Sequence, residues 1–581
     1  MTQTTDGCGK ASELAFQNIT VRLPNALFLD GYPPYDPKDL LMSEEKSIEG
    51  RPYVLWECNP LMGAKAEGGV FSIPAHLPYP PSLAKDMGSE VLVSEIPQPK
   101  AHVRLLTITN APTLLNDPKA FAQALSKVLH MAGPRDIIYA PGLGEPRHMA
   151  VLAYLGIALF DSQPAVKSAV KRQRMVLALG GVIDDNNSSE PQLLEANYSL
   201  MRSELTLISD SLKNATLRNL AEERAAADTR LMALLRIFDN QHFDLLERDL
   251  PVNRPQKMEC VTRESLNRPE VRRWRSRLKE RYVRPQSPHI LLLLPCSARK
   301  PYSFSKTHKR FAEALMPVNG RNCVHEVIVT SPLGIVPREL ELFYPANKYD
   351  IPVIGVWDEN EKALIRQTLA DYLANNKYEA CVCHFPDRDI VAPVLEAQGF
   401  KSLEYSCLEH RPTSQDSLRR LRECVEHALT GTKASPSGLK RHIEDMRSRL
   451  TFLFTEKFTN ALQEFDVVGR YPEIKITSRG KQLGMYVEER GFISLTIDGA
   501  RLLKDSGLCT VTIDEFPPKG TIFAQGVKGA TDDIRPGDDV VVLNKCHMAI
   551  GTALMSGRQM REMKTGPAVF IRHYEKISQT V

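Results

Sequence analysis

The run His289-Ile290-Leu291-Leu292-Leu293-Leu294 offers no polar position to turn toward water, so it reads as a buried strand. It stops at once in Pro295-Cys296-Ser297-Ala298-Arg299-Lys300-Pro301-Tyr302-Ser303-Phe304-Ser305-Lys306-Thr307-His308, the exit into a loop and helix. Open α/β sheets place their chemistry at such strand ends. The segment gathers a thiol (Cys296), an amine (Lys300), a phenol (Tyr302), a hydroxyl (Ser305) and an imidazole (His308), beside Arg299, whose charge is expected to favour a thiolate. The competing reading makes Cys296 a small packed hydrophobe, with Lys300 and Lys306 solvated on the next turn.

A chain of 581 residues exceeds what one hydrophobic core supports, and three to five domains are expected. With 43% hydrophobic and 25% charged residues it has a globular composition, and no apolar run approaches the roughly 20 residues of a membrane span. The start, Met1–Ser12, lacks the apolar segment of a signal peptide, so a cytoplasmic protein without membrane contact is expected. The net charge of +4 does not by itself announce nucleic acid. Eleven scattered cysteines suit reduced thiols. Cys381-Val382-Cys383-His384 suggests metal ligands, but no second ligand pair lies nearby, and a packed strand is the expectation.

Four regions emerge in chain order. Residues 1–265 contain Asp136–Tyr139 ending in Gly142-Leu143-Gly144, then a helix over Met149–Tyr154 and a strand over Ile157–Phe160, a βαβ step as in a (β/α) barrel. Residues 286–430 alternate strands (His289–Leu294, His325–Thr330, Pro352–Val356, Glu379–His384) with helices, which implies a mainly parallel sheet. Ser331–Glu341 is expected as a loop at the ends of that sheet. Residues 437–505 form a small α+β domain. Residues 507–581 carry short strands and turn signals, a compact β-barrel.

Position by position, the stretch after Leu294 is similar to the PC-x3-KPY-x2-S-x2-H motif of archaeosine synthase, an archaeal tRNA-modifying amidinotransferase related to tRNA-guanine transglycosylases. Thr330–Glu341, Tyr344-Pro345-Ala346 and Tyr349-Asp350-Ile351-Pro352 resemble the same family. The string Gly142-x-Gly144-x-Pro146…Gly156-x-x-Leu159-Phe160-Asp161-Ser162 resembles late strands of the transglycosylase barrel. There the family places zinc ligands shortly afterwards, whereas Gly181–Tyr198 has no Cys and no His. The resemblance therefore implies a degenerate TIM-like barrel without zinc or an evident nucleophilic aspartate. The last region resembles a PUA domain, an RNA-binding module, through Gly566-Pro567-Ala568-Val569-x-x-Arg572-His573.

The implied architecture is a multidomain α/β chain: degenerate barrel, parallel-sheet domain, small α+β domain and PUA barrel. The implied reaction adds nitrogen to the nitrile of 7-cyano-7-deazaguanine at position 15 of tRNA, without metal or cofactor. Cys296 is expected to attack the nitrile, His308 to deprotonate the amine, Lys300 to orient or protonate the imide, and Tyr302 and Ser305 to assist. Glu339 and Asp358 are the candidate acids. The cluster Arg272, Arg273, Arg275, Arg277 and Arg281 around Trp274 and Tyr282 is expected to face RNA, with Arg572, or else to be a solvated linker helix. Still open are the donor (lysine, glutamine or ammonia), a homo-oligomeric state and a radical-SAM lyase partner. Two other classes remain: a non-catalytic tRNA-binding partner and an active transglycosylase.

Overall fold

A computed structural model describes residues 5–16, 19–29, 31–36, 40–43, 53–57, 66–67, 70–74, 91–98, 101–184, 187–353, 355–431 and 435–577. The chain divides into one unit of residues 1–251, 523–525 and 554–568 and a second of residues 252–522, 526–553 and 569–581. No helix among the described residues is long and apolar enough to cross a membrane.

The first unit is built on a nine-stranded sheet. Its strands are β1 (Asn25–Leu29), β2 (Leu40–Ser43), β3 (Tyr53–Glu57), β4 (Ala66–Glu67), β5 (Val70–Pro74), β6 (Val91–Gln98), β7 (Ala101–Ile108), β8 (Ile137–Tyr139) and β9 (Leu159–Asp161). The order is β6-β7-β8-β9-β1-β2-β3-β5-β4, parallel from β7 through β5. The last strand thus lies beside the first, and among the described ladders none joins β4 to β6. The expected βαβ step is present: β8, the helix Pro146–Tyr154, then β9 parallel to β8. Its glycine turn exists because two chains nearly touch: a Cβ at Gly144 would lie 1.9 Å from the Asp161 carbonyl oxygen. Buried Asp161 accepts from the Gly142 amide (2.6 Å) and the Tyr139 hydroxyl (2.9 Å), so it ties the turn to the strand end. Beyond it, Gly180–Ile183 forms a hairpin arm and Ser189 caps the helix Glu190–Lys213.

In the second unit the helix α1 (Pro269–Glu280) precedes β10 (Ile290–Pro295), α2 (Lys306–Leu315), β11 (Val324–Thr330), β12 (Gly334–Pro337), α3 (Glu359–Asn375), β13 (Ala380–Cys383) and β14 (Ser402–Tyr405). The sheet order is β12-β11-β10-β13-β14, with β10 parallel to both neighbours and β12 antiparallel. This explains the unbroken apolar run. Leu291 and Leu293 pack with Trp274 of α1 and Leu369 of α3, while Ile290, Leu292 and Leu294 pack on the other face with Phe311 of α2 and Leu421.

Two sequence expectations change here. Gly334–Pro337, expected within a loop, pairs with β11 as a strand. Of Pro352–Val356, expected as a strand, the described residues 352, 353, 355 and 356 pair in no ladder: Pro352 cannot donate to one, and Gly355 sits at φ +74°. Cys381 and Cys383 are buried in β13, and His384 bonds Ser406 (2.9 Å) and the Pro412 carbonyl (2.8 Å). Among the described residues no group of three or more His, Cys, Asp or Glu side chains is arranged to hold a metal ion. Further on, α4 (Gly438–Ala461) leads into a four-stranded antiparallel sheet and the helix Ile497–Ser506. A six-stranded sheet closes the chain.

Candidate active site

Cys296 follows the last residue of β10, and its amide donates to the Val329 carbonyl (3.1 Å), so the backbone is still held by β11 where the thiol leaves the sheet. Beside it lies a chain of buried hydroxyls. Tyr302 Oη meets Tyr349 Oη at 2.6 Å, Tyr349 Oη meets Thr330 Oγ1 at 2.5 Å, and Thr330, whose hydroxyl also donates to the Ser331 carbonyl (3.2 Å), acts on the Cys296 thiol. All three hydroxyl residues are almost fully buried. Burial and then the Cys296 thiol push Tyr302 above its usual range, burial and then Tyr302 push Tyr349 well above it, and both phenols stay protonated. Lys300 lies with Nζ 4.1 Å from the centre of the Tyr349 ring.

The expected electrostatics need correcting. Burial raises the Cys296 thiol, and Thr330 and then Lys300 only partly oppose it. Arg299 is exposed and does not bear on the thiol. Burial likewise lowers the Lys300 ammonium below the usual lysine value. Burial thus opposes charge on both the thiol and the amine, a pair between which a proton can pass.

Other expected residues have structural posts. Ser305 Oγ caps α2 by accepting from the His308 amide (3.1 Å). His308 is 2% exposed, and its Nδ1 receives a hydrogen bond from Arg338 Nη2 (2.8 Å). Since guanidinium can only donate, the His308 proton sits on Nε2, which is buried and makes no hydrogen bond among the described residues. Burial and then Arg338 push this imidazole down to about 3, so it stays neutral while it ties α2 to Arg338. Arg338 in turn pairs with Glu326 (2.6 Å) and Glu341 (2.9 Å), and Glu341 accepts from Ser303.

Glu339 lies at the wrong end of the sheet. Its Oε2 meets His325 Nε2 at 3.0 Å and its Oε1 accepts from Tyr282 Oη at 2.5 Å. His325 is five residues before Thr330 on β11, roughly 16 Å along the strand from the level of Cys296. Burial alone would raise the Glu339 carboxyl, but His325 and the hydrogen bonds hold it low. Asp358 is the N-cap of α3, accepting from Asn360 N (2.8 Å) and Glu361 N (2.9 Å), so helix capping occupies it.

The arginine stripe also turns inward. Trp274 is 1% exposed and donates from Nε1 to the Ile335 carbonyl (3.2 Å), so α1 belongs to the sheet domain. Arg273 is buried, and Arg275 donates to the Leu266 carbonyl (3.2 Å), with burial and then Arg272 pushing it down to about 10. Arg273 and Arg277 act on Asp538, whose carboxyl burial raises to about 6 against their pull. Arg272 and Arg281 are partly buried. Arg572 is locked to Asp539 (2.7 and 2.9 Å) and the Leu495 carbonyl (3.0 Å). Arg273 and Arg572 are thus engaged within the fold, while Arg272, Arg277 and Arg281 keep partial exposure.

Three residues escaped the sequence reading: Thr330 and Tyr349, which form the relay, and Glu361, whose carboxylate acts weakly on Cys296 and accepts from the Asp358 amide (3.0 Å). Thr330 and Tyr349 stand in segments already singled out by their resemblance, but neither has a charge to attract attention.

The second unit is an α/β domain with a thiol leaving the carboxyl end of its central parallel strand. Residues 519–574 match the PUA domain family, and residues 271–425 match a family described as "Domain of unknown function (DUF5591)". The chain is 33% identical to the archaeosine synthase subunit alpha of Methanosarcina acetivorans, covering 94% of this chain and 93% of that protein. It is also 33% identical to the subunit alpha of Thermoplasma acidophilum, covering 81% and 88%. A more distant relative is the tRNA-guanine(15) transglycosylase of Methanothermobacter thermautotrophicus, 25% identical over 74% of this chain and 65% of that one. The chain belongs to the archaeosine synthase family.

Proposed function

We propose that this protein forms the amidine of archaeosine, or of its amine-bearing precursor, on tRNA that already carries 7-cyano-7-deazaguanine at position 15. The observation that carries the reading is the partly buried thiol of Cys296 at the carboxyl end of the central strand, beside Lys300 and the Thr330–Tyr349–Tyr302 relay, in a chain of this family. Cys296 sulfur bonds to the nitrile carbon. The thiol proton passes through the Lys300 amine to the nitrile nitrogen, giving a thioimidate. An incoming amine then bonds to that carbon, the C–S bond breaks, and the amine's proton returns to sulfur, leaving the amidine and free thiol. The relay's role is to present the Thr330 hydroxyl to sulfur when sulfur carries charge.

The cyclic strand order of the first unit favours reading residues 1–265 as a transglycosylase-like barrel kept for docking tRNA. Residues 286–430 hold the chemistry, residues 437–505 link to the PUA domain, and residues 507–581 bind RNA. The donor is an amine: lysine, glutamine-derived nitrogen or ammonia. A radical-SAM partner would act on the product.

The test incubates the purified protein with nitrile-bearing tRNA and each donor in turn, followed by nucleoside mass spectrometry. Amidine formation with one donor is expected. Binding without conversion by any donor would make the chain a non-catalytic partner, and release of the base into solution would make it a transglycosylase.

A further inference from the structure

A groove of about 610 Å³ opens in the second unit beside the motif. Ser303 and Phe304 form one wall, α4 supplies His442 and Arg449, and Arg470 and Tyr471 complete it. Its contents are not those of a packing defect. Arg449 is held through Nε, which donates to the Glu339 carbonyl (2.8 Å), while its Nη1 is buried and makes no hydrogen bond among the described residues. Arg470, also in the lining, is exposed. Arg338 and Glu341, also lining the groove, neutralise each other at 2.9 Å. Burial and then Arg449 lower His442, which leaves it a neutral donor or acceptor. Among the described residues neither Arg449 nor Arg470 forms an ion pair, although Asp445 acts on Arg449. In the same lining the Phe304 and Tyr471 rings lie 4.9 Å apart, tilted by 45° and both partly exposed, with the Tyr471 hydroxyl donating to Glu488.

Guanidinium groups flanking an aromatic shelf fit one chemistry well: a phosphodiester with its base. A free amino-acid donor fits less well, because the only carboxylate in the lining, Glu341, is already taken by Arg338 and Ser303 and so cannot meet an ammonium group. We infer that this groove holds one unpaired nucleotide of the substrate RNA, its phosphate between Arg449 and Arg470 and its base against Phe304 and Tyr471. The inference rests on the tRNA reading above and gives the motif loop a second duty. Tyr302 faces the thiol, and the next two residues hold the nucleic acid.

The test is tRNA binding by the full chain across a salt series, with Arg470→Ala, Phe304→Ala and Phe304→Tyr. Arg470→Ala is expected to lower the slope of log affinity against log salt by about one, as for one lost phosphate contact. Phe304→Ala is expected to weaken binding about fivefold or more with the slope kept, and Phe304→Tyr to restore it. Wild-type slope and affinity in both the Arg470→Ala and Phe304→Ala proteins would overturn the inference while leaving tRNA modification intact. Absence of tRNA binding by the wild-type chain would remove both.

Discussion

Replacing Thr330 by Val deletes one hydroxyl and keeps the shape. In the folded protein that hydroxyl meets Tyr349 Oη at 2.5 Å, and after burial it is the largest influence on the Cys296 thiol, ahead of Lys300. A hydrogen bond to a charged group is worth about 1.5–3 kcal/mol, and about 1.4 kcal/mol corresponds to one pKa unit. The Cys296 thiol should therefore rise a further one to two units or so, and its alkylation at a fixed pH below the midpoint should slow about 10- to 100-fold. The assay is pulse alkylation with iodoacetamide between pH 7 and 9, read on the peptide containing Cys296 so that Cys407, Cys509 and Cys546 do not interfere. Lys300→Met should shift the profile in the same direction by less. An unchanged profile for Thr330→Val, or one displaced to lower pH, would refute the relay's action on sulfur.

Other outcomes follow from the same geometry. Tyr349→Phe leaves the buried Tyr302 and Thr330 hydroxyls short of a partner and should cost about 1–3 kcal/mol in denaturant unfolding, whereas adding Tyr302→Phe should cost less than the sum of the two single changes. His308 is held at about 3 against 6.5 for an ordinary histidine, so the unfolded chain binds its proton first as pH falls through that window. Stability should then fall between about pH 6.5 and 3 with a contribution of up to about 1.4 kcal/mol per unit from this group, and His308→Leu should flatten that part of the profile. Asp358→Asn preserves the α3 cap and should keep amidine formation, while Asp358→Ala should lose about 1 kcal/mol of stability; a large rate loss in Asp358→Asn would restore it as an acid. Ser556 Oγ donates to buried Asp249 (2.5 Å), so truncating the chain before Leu508 should lower the melting temperature of the remainder.

The parallel sheet was legible because β10 is apolar on both faces, and the βαβ step because Gly142 and Gly144 mark a turn. The position of Cys296 followed from the strand's end. What sequence could not convey was depth. Arg299 and Lys300 look equivalent in the chain, but one is exposed and the other lies against Tyr349. The arginines of α1 read as a nucleic-acid surface because linear density says nothing about Asp538, which lies over 250 residues further on and turns Arg273 and Arg277 inward. Glu339 was chosen for its charge, although β12 runs antiparallel and carries it to the far end of β11. Thr330 and Tyr349 were passed over for lacking charge, yet burial is what gives a hydroxyl its influence on a neighbouring thiol.

Trapping the covalent intermediate tests the central claim most directly. Nitrile-bearing tRNA mixed with the protein in the absence of any amine donor should give a protein–RNA adduct, mapped by mass spectrometry to the peptide of Cys296 and discharged to amidine when the donor is added. Cys296→Ala should give neither adduct nor amidine while keeping tRNA affinity within a few-fold, because phosphate contacts and not the thiol set that affinity. Amidine formation by Cys296→Ala at a rate near that of the wild type would contradict the account.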